Sequence, residues 1–355
     1  MAKTGNTVEM ESGLTTHRSP VLVTGAAGYV GSHVVSQLLR QGVPVRAAVR
    51  NPQRGAQVDD TVRGEGLDPR QIETVYADLT DDAGWTDALD GARAVLHIAS
   101  PFPADTPEND DDVIVPAREG TLRVLRHARD AGCSRVVMTS SFAAVGYSPK
   151  ADERWTEDDW TDPADENSAY IRSKAIAERA AWDFVATHGT GLQLTTLVPV
   201  GIFGPTLGPH LSTSVRFIQA MLTGAVTQLA PQYFGVVDVR DVAAAHLQAL
   251  AAPDSVGERI LLVADGPSLS FLQMADILRA SLGAAAARVP TAEYSEDDVR
   301  RLAQTVPAMR ETLNRLGRRP QISNAKAKAL LGWVPRPAAQ TIVDTAHSLV
   351  ARNLV

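Results

Sequence analysis

Short apolar runs of strand length alternate with segments of helical spacing between residues 21 and 198 of the chain. The apolar runs suit strands that are buried on both faces, and they lie at 21–23, 45–50, 71–79, 92–99, 135–141 and 192–198. Helices are predicted after the first run and at 81–90, 110–131 and 168–188. This alternation predicts an α/β fold of the Rossmann type, with a doubly wound parallel sheet.

Composition and charge narrow the class of protein. Of 355 residues, 44% are hydrophobic and 21% are charged, which is typical of a soluble globular protein. The net charge of −7, without a basic block, disfavours nucleic acid as a partner. The single cysteine, Cys133, excludes an internal disulfide, predicts a cytoplasmic protein and is expected to be a buried structural thiol. The sequence predicts no metal site, membrane span or signal peptide, and it predicts a polar tail at 1–19.

Three glycines spaced three residues apart, Gly25, Gly28 and Gly31, follow the first apolar run and precede a helical pattern. A side chain at Gly25 or Gly28 would obstruct a tight turn or the approach of a diphosphate to the backbone. A glycine at position 31 lets the helix pack closely on the strand. The helix N-terminus offers free N–H groups and partial positive charge. This context predicts a dinucleotide-binding turn.

The second predicted strand ends in Arg50, with Arg54 shortly after it. In an NAD-binding unit this position usually holds an acidic residue that bonds the ribose 2′-hydroxyl. A guanidinium can instead hold a 2′-phosphate. The sequence therefore favours NADP(H) over NAD(H), although both arginines could also be solvated loop charges.

The third and fourth predicted strands end in further candidate positions. Asp78 could accept a hydrogen bond from the adenine amino group, or cap the short helix that follows. His97 is expected to be a packed strand residue, since nothing beside it suggests a base. A loop that begins at Ser100 and Pro101 leaves the carboxyl end of the strand, where ligands bind in open α/β sheets.

Tyr170 and Lys174 lie four residues apart on a predicted helix and therefore share a face. A phenol titrates near pH 10, and a neighbouring ammonium should lower its pKa. Ser141, at the carboxyl end of the fifth strand, could hydrogen-bond a substrate carbonyl oxygen. Together with the glycine turn, the three side chains indicate a proton donor, its cationic partner and a carbonyl ligand.

These motifs make the chain resemble the extended short-chain dehydrogenase/reductases, and within them the dihydroflavonol reductase, cinnamoyl-CoA reductase and ketoreductase branch. The resemblance covers roughly residues 20 to 350. It is carried by residues 24–31, 45–52, 77–79, 97–102, 139–141, 170–174, 198–199, 237–243 and 325–333.

The resemblance implies roles for individual residues. Tyr170 would be the general acid for reduction, Lys174 its partner and Ser141, rather than Ser140, the carbonyl ligand. Besides Tyr170 and Lys174, the implied cofactor-binding residues are Gly25, Ala27, Gly28, Tyr29, Val30, Arg50, Asp78, Leu79, Ala99, Ser100, Pro101, Thr139, Pro199 and Val200. The small, apolar segment 142–145 differs from the polar segment of plant flavonoid reductases and favours a less polar ketone or aldehyde.

Two units are expected, an NADP-binding domain at 20–199 and 232–256, and a smaller C-terminal α/β substrate-binding domain at 200–231 and 257–355. Phe102, Phe142 and Phe203 are candidate pocket walls.

The leading hypothesis is an NADPH-dependent carbonyl reductase that acts as a monomer or homodimer on a small molecule. A nucleotide-sugar epimerase or dehydratase with retained NAD, and an NADP-sensing regulator without catalysis, are the alternatives.

Overall fold

A seven-stranded parallel sheet forms the centre of the protein, in a computed structural model that describes residues 19–101 and 109–355. The strands of the described residues are β1 (Val21–Thr24), β2 (Val45–Val49), β3 (Ile72–Tyr76), β4 (Ala94–His97), β5 (Arg135–Thr139), β6 (Arg154–Trp155), β7 (Gln193–Pro199), β8 (Gly201–Phe203), β9 (Tyr233–Phe234), β10 (Val236–Asp238), β11 (Arg259–Leu262), β12 (Leu269–Ser270) and β13 (Gln321–Ile322). The helices are α1 (Tyr29–Arg40), α2 (Pro52–Gly64), α3 (Trp85–Leu89), α4 (Asp111–Asp130), α5 (Ala169–His188), α6 (Thr213–Thr223), α7 (Val239–Ala251), α8 (Phe271–Leu282), α9 (Glu296–Leu302), α10 (Pro307–Leu313), α11 (Ala325–Leu331) and α12 (Ala338–Ala351).

The order of the central strands is β11-β7-β5-β4-β1-β2-β3, and every pairing is parallel. The chain builds outward from β1 through β2 to β3, and then crosses to β4 and builds in the other direction. This confirms the predicted doubly wound sheet. Because the direction of building reverses between β1 and β4, a crevice lies at their carboxyl ends, where such sheets bind ligands.

The seventh strand of the sheet, β11, comes from the part of the chain that the sequence analysis places in the smaller domain. Arg259 pairs with Thr196, and the register continues to Leu262 beside Pro199. All four residues of β11 are buried, which is typical of a central parallel strand. Position 257 is thus not where the chain leaves the sheet.

Two helices also differ from the prediction. The sequence analysis assigns no element to α2, although Asn51 caps it by accepting from the backbone N–H of Arg54 and Pro52 occupies its first turn, both common signals of a helix start. The helix predicted at 81–90 is shortened to α3, because Gly84 adopts a left-handed conformation immediately before it.

The side chains of alternate strand residues pack in two cores, one on each face of the sheet. Val21 and Val23 of β1 pack in the core with α1 and α7, whereas Leu22 packs in the core of the opposite face. Cys133 lies in that second core, as predicted, and burial raises the pKa of its thiol. A third core joins α6, α8 and α12 with Tyr29 of α1. Among the described helices, none combines the length and apolar character that a bilayer crossing requires.

Candidate active site and dinucleotide site

The glycine turn after β1 has the geometry that a diphosphate needs. Gly25 has a φ of +68°, and a Cβ there would lie 2.9 Å from the backbone nitrogen of Ala99. A Cβ at Gly31 would overlap the carbonyl oxygen of Gly25, so α1 packs directly on the turn. Gly28 is the N-cap of α1, and no described side chain caps that end of the helix. The turn therefore fits a dinucleotide, with first-turn N–H groups and the helix dipole available to phosphate oxygens.

Thr24, which the sequence analysis does not single out, ties the ends of β1 and β4 together at this crevice. Its Oγ1 accepts from the backbone nitrogens of Ile98 and Ala99, each at 3.0 Å, and lies 2.9 Å from Nδ1 of His97. Since the hydroxyl oxygen accepts twice, its own hydrogen is directed to Nδ1. Burial, with a smaller effect of Lys174, lowers the pKa of His97 to about 4. His97 is therefore a neutral, packed strand residue, as predicted.

The side chain of Tyr29, a predicted cofactor-binding residue, is engaged with the protein itself. Its hydroxyl donates to the carbonyl oxygen of Gly204 at 2.8 Å, and the ring belongs to the third core. Burial raises the pKa of this phenol well above its ordinary value, with Asp238 adding to the effect. Because the side chain fills the contact between α1 and the loop after β8, any contact of Tyr29 with a diphosphate would come from its backbone. Contacts of Ala27, Tyr29 and Val30 with a cofactor stay predictions.

The predicted adenosine end lies at the carboxyl ends of β2 and β3. Arg50 is exposed, and Arg54 is partly buried in the first turn of α2. The carboxylate of Asp78 accepts from the nitrogen and hydroxyl of Thr80, at 2.9 and 2.8 Å, and so caps a turn. The interpretation of Asp78 as the cap of α3 is wrong, since α3 begins only at Trp85. Leu79 packs partly buried in the second core, and the adenine contact stays a prediction.

The predicted nicotinamide end lies at the carboxyl ends of β4, β5 and β7. There the structure places Ala99, Ser100, Pro101, Thr139, Pro199 and Val200. The hydroxyl of Thr139 donates to Nε2 of His246 at 2.7 Å, because the other ring nitrogen donates to a helix carbonyl of α7. Burial lowers the pKa of His246 to about 4 and keeps it neutral. Thr139 thus anchors α7, and contact of these six residues with a cofactor stays a prediction.

Ser141, Tyr170 and Lys174 come together in the structure. Ser141 Oγ accepts from the backbone nitrogen of Ala143 at 3.1 Å, so its hydrogen is available, and it hydrogen-bonds the hydroxyl of Tyr170. Lys174 Nζ lies 5.5 Å from the centre of the Tyr170 ring and donates to Ser100 Oγ at 2.7 Å. The β5 terminus and one turn of α5 therefore present a hydroxyl, a phenol and an amine at one location.

The prediction that Lys174 lowers the pKa of Tyr170 is wrong, since Lys174 is not among the groups that shift it. Burial raises the pKa of Tyr170; donation by Ser141 opposes this, and nearby Tyr147 adds to it. The ammonium is turned towards Ser100 rather than the phenol oxygen. Burial also lowers the pKa of Lys174 from 10.5 to about 8. The phenol is thus held protonated, while the amine titrates near neutrality.

The low pKa of Lys174 predicts a distinctive labelling profile. With trace acetic anhydride, which attacks neutral amines, the rate at Lys174 of the cofactor-free protein should level off above about pH 8, the pKa that burial imposes. Peptide mass spectrometry measures the rate at Lys174 across the pH range, and the midpoint of that profile does not depend on the absolute accessibility of the amine. A rate at Lys174 that continues to rise steeply towards about pH 10, where an ordinary lysine titrates, would contradict the assignment.

The predicted pocket walls are mostly core residues. Phe203 is 4% exposed and lies in the third core, because β8 turns its side chain inward. Phe142 is 9% exposed and packs edge-on against Tyr147 and Trp155, with ring centres 6.0 and 6.2 Å away. Both rings thus pack in cores of the described structure, and contact of either ring with a substrate stays a prediction. Phe102 lies outside the described residues.

Glu178 is a buried residue near the site that the sequence analysis does not identify. It follows Lys174 by one helical turn and accepts from Ser140 Oγ at 2.6 Å, Thr196 Oγ1 at 2.9 Å and Arg259 Nε at 2.7 Å. These contacts join α5 to β5, β7 and β11. A glutamate in phase with Tyr170 and Lys174, and an arginine opening a later apolar strand, were the signals available in the sequence.

The sequence of this chain is similar to those of known proteins. The model of the NAD dependent epimerase/dehydratase family matches residues 21–264. Cinnamoyl-CoA reductase CAD2 of Medicago truncatula is 36% identical over 249 residues, which cover 68% of this chain and 75% of that protein. The NADPH-dependent methylglyoxal reductase GRE2 of Saccharomyces cerevisiae is 29% identical over 360 residues, covering 93% of this chain and 98% of that protein.

Solved structures agree in fold over nearly the whole chain. Gre2 from Candida albicans in complex with NADPH superposes with a TM-score of 0.79 at 28% identity, covering 94% of this chain and 99% of that one. The yeast methylglyoxal/isovaleraldehyde reductase Gre2 complexed with NADPH gives a TM-score of 0.76 at 25% identity, covering 95% and 100%. The family model, for its part, spans more than half of the chain. The protein therefore belongs to the NAD-dependent epimerase/dehydratase family, among the extended short-chain dehydrogenase/reductases.

Proposed function

We propose that this protein is an NADPH-dependent carbonyl reductase that converts a ketone or an aldehyde to an alcohol. The observation that carries the proposal is the hydrogen bond between Ser141 and Tyr170, with Lys174 one helical turn away, at the carboxyl end of β5. The relatives named for NADPH-dependent reduction share this fold and most of this length.

Ser141, Tyr170 and Lys174 each have a separate role in reduction of the carbonyl group. NADPH, when bound, would supply the hydride that the carbonyl carbon receives. The hydroxyl of Ser141 donates a hydrogen bond to the carbonyl oxygen and fixes its position, which polarises the carbonyl. Tyr170 transfers its phenolic proton to that oxygen, so that one C–H and one O–H bond form. The ammonium form of Lys174 stabilises the phenolate that remains.

The electrostatics of the cofactor-free site suit a proton donor. The raised pKa keeps the phenol of Tyr170 protonated at neutral pH, so the site holds the proton before the carbonyl arrives. Lys174, with its pKa near 8, remains largely an ammonium below that pH. Reduction should therefore be favoured at neutral and mildly acidic pH.

The two alternative functions have weaker support. An epimerase or dehydratase of nucleotide sugars is within the range of the family, but Arg50 and the apolar segment 142–145 speak against it. An NADP-sensing regulator would not need the Tyr170–Lys174 pair. We further propose that the smaller unit, packed beyond β8, supplies the substrate pocket.

The test is consumption of NADPH across a panel of aromatic ketones, β-keto esters and aldehydes, with NADH and nucleotide sugars measured in parallel. We expect NADPH oxidation with several neutral carbonyl compounds and much slower reaction with NADH. Turnover of a nucleotide sugar, or NAD retained by the purified protein, would favour the epimerase instead. Absence of NADPH oxidation with every compound would contradict the reductase and favour the regulator.

A further inference from the structure

A loop at residues 204–212 crosses from β8 to the surface of α2, beside the predicted adenosine end of the cofactor site. Its start is fixed by Tyr29, which donates to Gly204, and by His33 Nε2, which lies 2.9 Å from the carbonyl oxygen of Pro205. Further along, a Cβ at Gly208 would lie 3.0 Å from Thr61 Oγ1 of α2. The loop is thus held against α1 and α2, although it belongs to the segment expected to form the smaller domain.

The loop places His210 beside Gln57 and Arg54 of α2, the helix that follows β2. Nε2 of His210 lies 2.9 Å from Oε1 of Gln57, and Nη1 of Arg54 donates to the same oxygen at 3.2 Å. One amide oxygen therefore holds an imidazole and a guanidinium side by side. Because that oxygen only accepts, Nε2 of His210 carries a hydrogen.

Two further arginines act at the same place. Burial lowers the pKa of His210, and the positive charges of Arg54, Arg216 and Arg50 each lower it further. Burial and then Arg50 also lower the pKa of Arg54. Arg216 comes from α6, Arg50 and Arg54 from the β2–α2 segment, and His210 from the loop, so three parts of the chain contribute basic groups whose charges act on His210.

No carboxylate of the described residues is among the groups that shift the pKa of His210. The acidic residues of α2, Asp59 and Asp60, are engaged with Arg63 at 3.8 and 2.7 Å. Like charges gathered without a counter-ion repel one another and destabilise the arrangement. A phosphate dianion placed among them would convert this repulsion into charge-assisted hydrogen bonds.

We infer that His210 and Arg216 complete, with Arg50 and Arg54, the site for the 2′-phosphate of NADPH, so that the loop closes over the end of the cofactor that NADH lacks. This inference rests on the proposed NADPH dependence. The side chain of His210 is a ligand of the phosphate, and Arg216 adds positive charge from α6. Cofactor discrimination then resides in two units of the chain, rather than at the end of β2 alone.

The arrangement couples binding of NADPH to pH. Without the phosphate, burial and then the charges of Arg54, Arg216 and Arg50 lower the pKa of His210 and so favour its neutral form, with Gln57 as its uncharged partner. With the phosphate bound, the charged imidazolium is favoured, so the pKa of His210 rises and a proton is taken up. The contribution of His210 to affinity is therefore present at low pH and is lost as pH rises through the pKa in the complex.

The experiment measures Kd for NADPH and NADH by fluorescence titration from about pH 5.5 to about pH 8.5, a range that spans ordinary histidine titration, in wild type and in His210→Gln. Gln retains a hydrogen-bond donor but not the charge. We expect NADPH binding to weaken about 10-fold at the acidic end and little at the basic end, with NADH binding unchanged. Because the phosphate itself titrates near pH 6, the difference between wild type and variant is the informative quantity. Calorimetry in two buffers should show less proton uptake in the variant.

Controls separate this inference from the proposed function. His347→Gln, at an exposed position on α12, should leave both Kd values unchanged. Arg216→Gln should weaken NADPH binding about 3-fold, as expected for an exposed charge, and leave NADH unaffected. Two results would overturn the role of His210 in a wild type that prefers NADPH: His210→Gln binds NADPH with the wild-type Kd at every pH, or it loses affinity for NADPH and NADH equally. Neither result would contradict the proposed reductase function. If wild type prefers NADH, the cofactor assignment and this inference fall together.

Discussion

Replacement of Tyr170 by Phe should lower kcat for NADPH-dependent carbonyl reduction by about 10²- to 10⁴-fold, the usual contribution of a positioned general acid. The ring and its packing are kept, and only the hydroxyl that hydrogen-bonds Ser141 is removed. The Kd for NADPH should change little, because diphosphate and adenosine contacts lie at the other end of the crevice. Single-turnover kinetics and a binding titration measure the two effects separately.

Tyr147→Phe is the matched control for this experiment. Tyr147 is the neighbouring phenol that acts on Tyr170 electrostatically, but its hydroxyl lies 3.5 Å from Nη1 of Arg315 rather than against Ser141. It should retain most of the activity. If Tyr147→Phe were inactive and Tyr170→Phe active, the two phenols would have to exchange roles. Full activity in both variants would remove phenolic acid catalysis altogether.

Replacement of Glu178 by Gln should lower the free energy of unfolding by about 3–5 kcal/mol, the cost of breaking a buried ion pair. The Glu178 side chain is 0% exposed and that of Arg259 10%, at an Nε–Oε1 distance of 2.7 Å. The variant would leave the guanidinium charged and buried without its counter-ion. Urea denaturation followed by circular dichroism and tryptophan fluorescence measures the loss.

Glu258→Gln provides the comparison for an exposed pair. Glu258 binds Lys326 at 2.8 Å, but the two side chains are 38% and 30% exposed, so its loss should cost at most about 1 kcal/mol. A second test is the double variant Glu178→Met with Arg259→Met, which removes both charges. Its stability should exceed that of Glu178→Met alone. Equal losses in the buried and exposed single variants would refute a structural role for the buried pair.

The features that could be predicted from the sequence are those with local spacing. The glycine turn depends on three residues within one strand–turn–helix unit, and the Tyr170–Lys174 pair depends on one helical turn, so both could be recognised from a single stretch of chain. The alternation of apolar runs between residues 21 and 198 likewise identified the first six of the seven central strands.

The features that were missed depend on contacts between distant residues. Whether Phe203 faces a pocket or a core is decided by its packing with later elements, α6 and above all the distant α12, which begins at Ala338. His210 meets Gln57 across 153 positions of chain, and Arg259 meets Glu178 across 81. Periodicity contains no information on such pairings, because the residues that meet share no repeat. The pKa of Tyr170 was misjudged for the same reason, since burial depends on the whole surrounding fold.

The late position of β11 in the chain has a consequence for biosynthesis. Until Arg259–Leu262 has left the ribosome, the apolar strand β7 has an open edge and Glu178 has no cation beside it. The nascent nucleotide-binding half therefore exposes an unpaired strand edge, which can pair with other chains, until a segment that follows all its other strands has been synthesised. Premature termination before this point would yield an aggregation-prone fragment rather than a small, working domain.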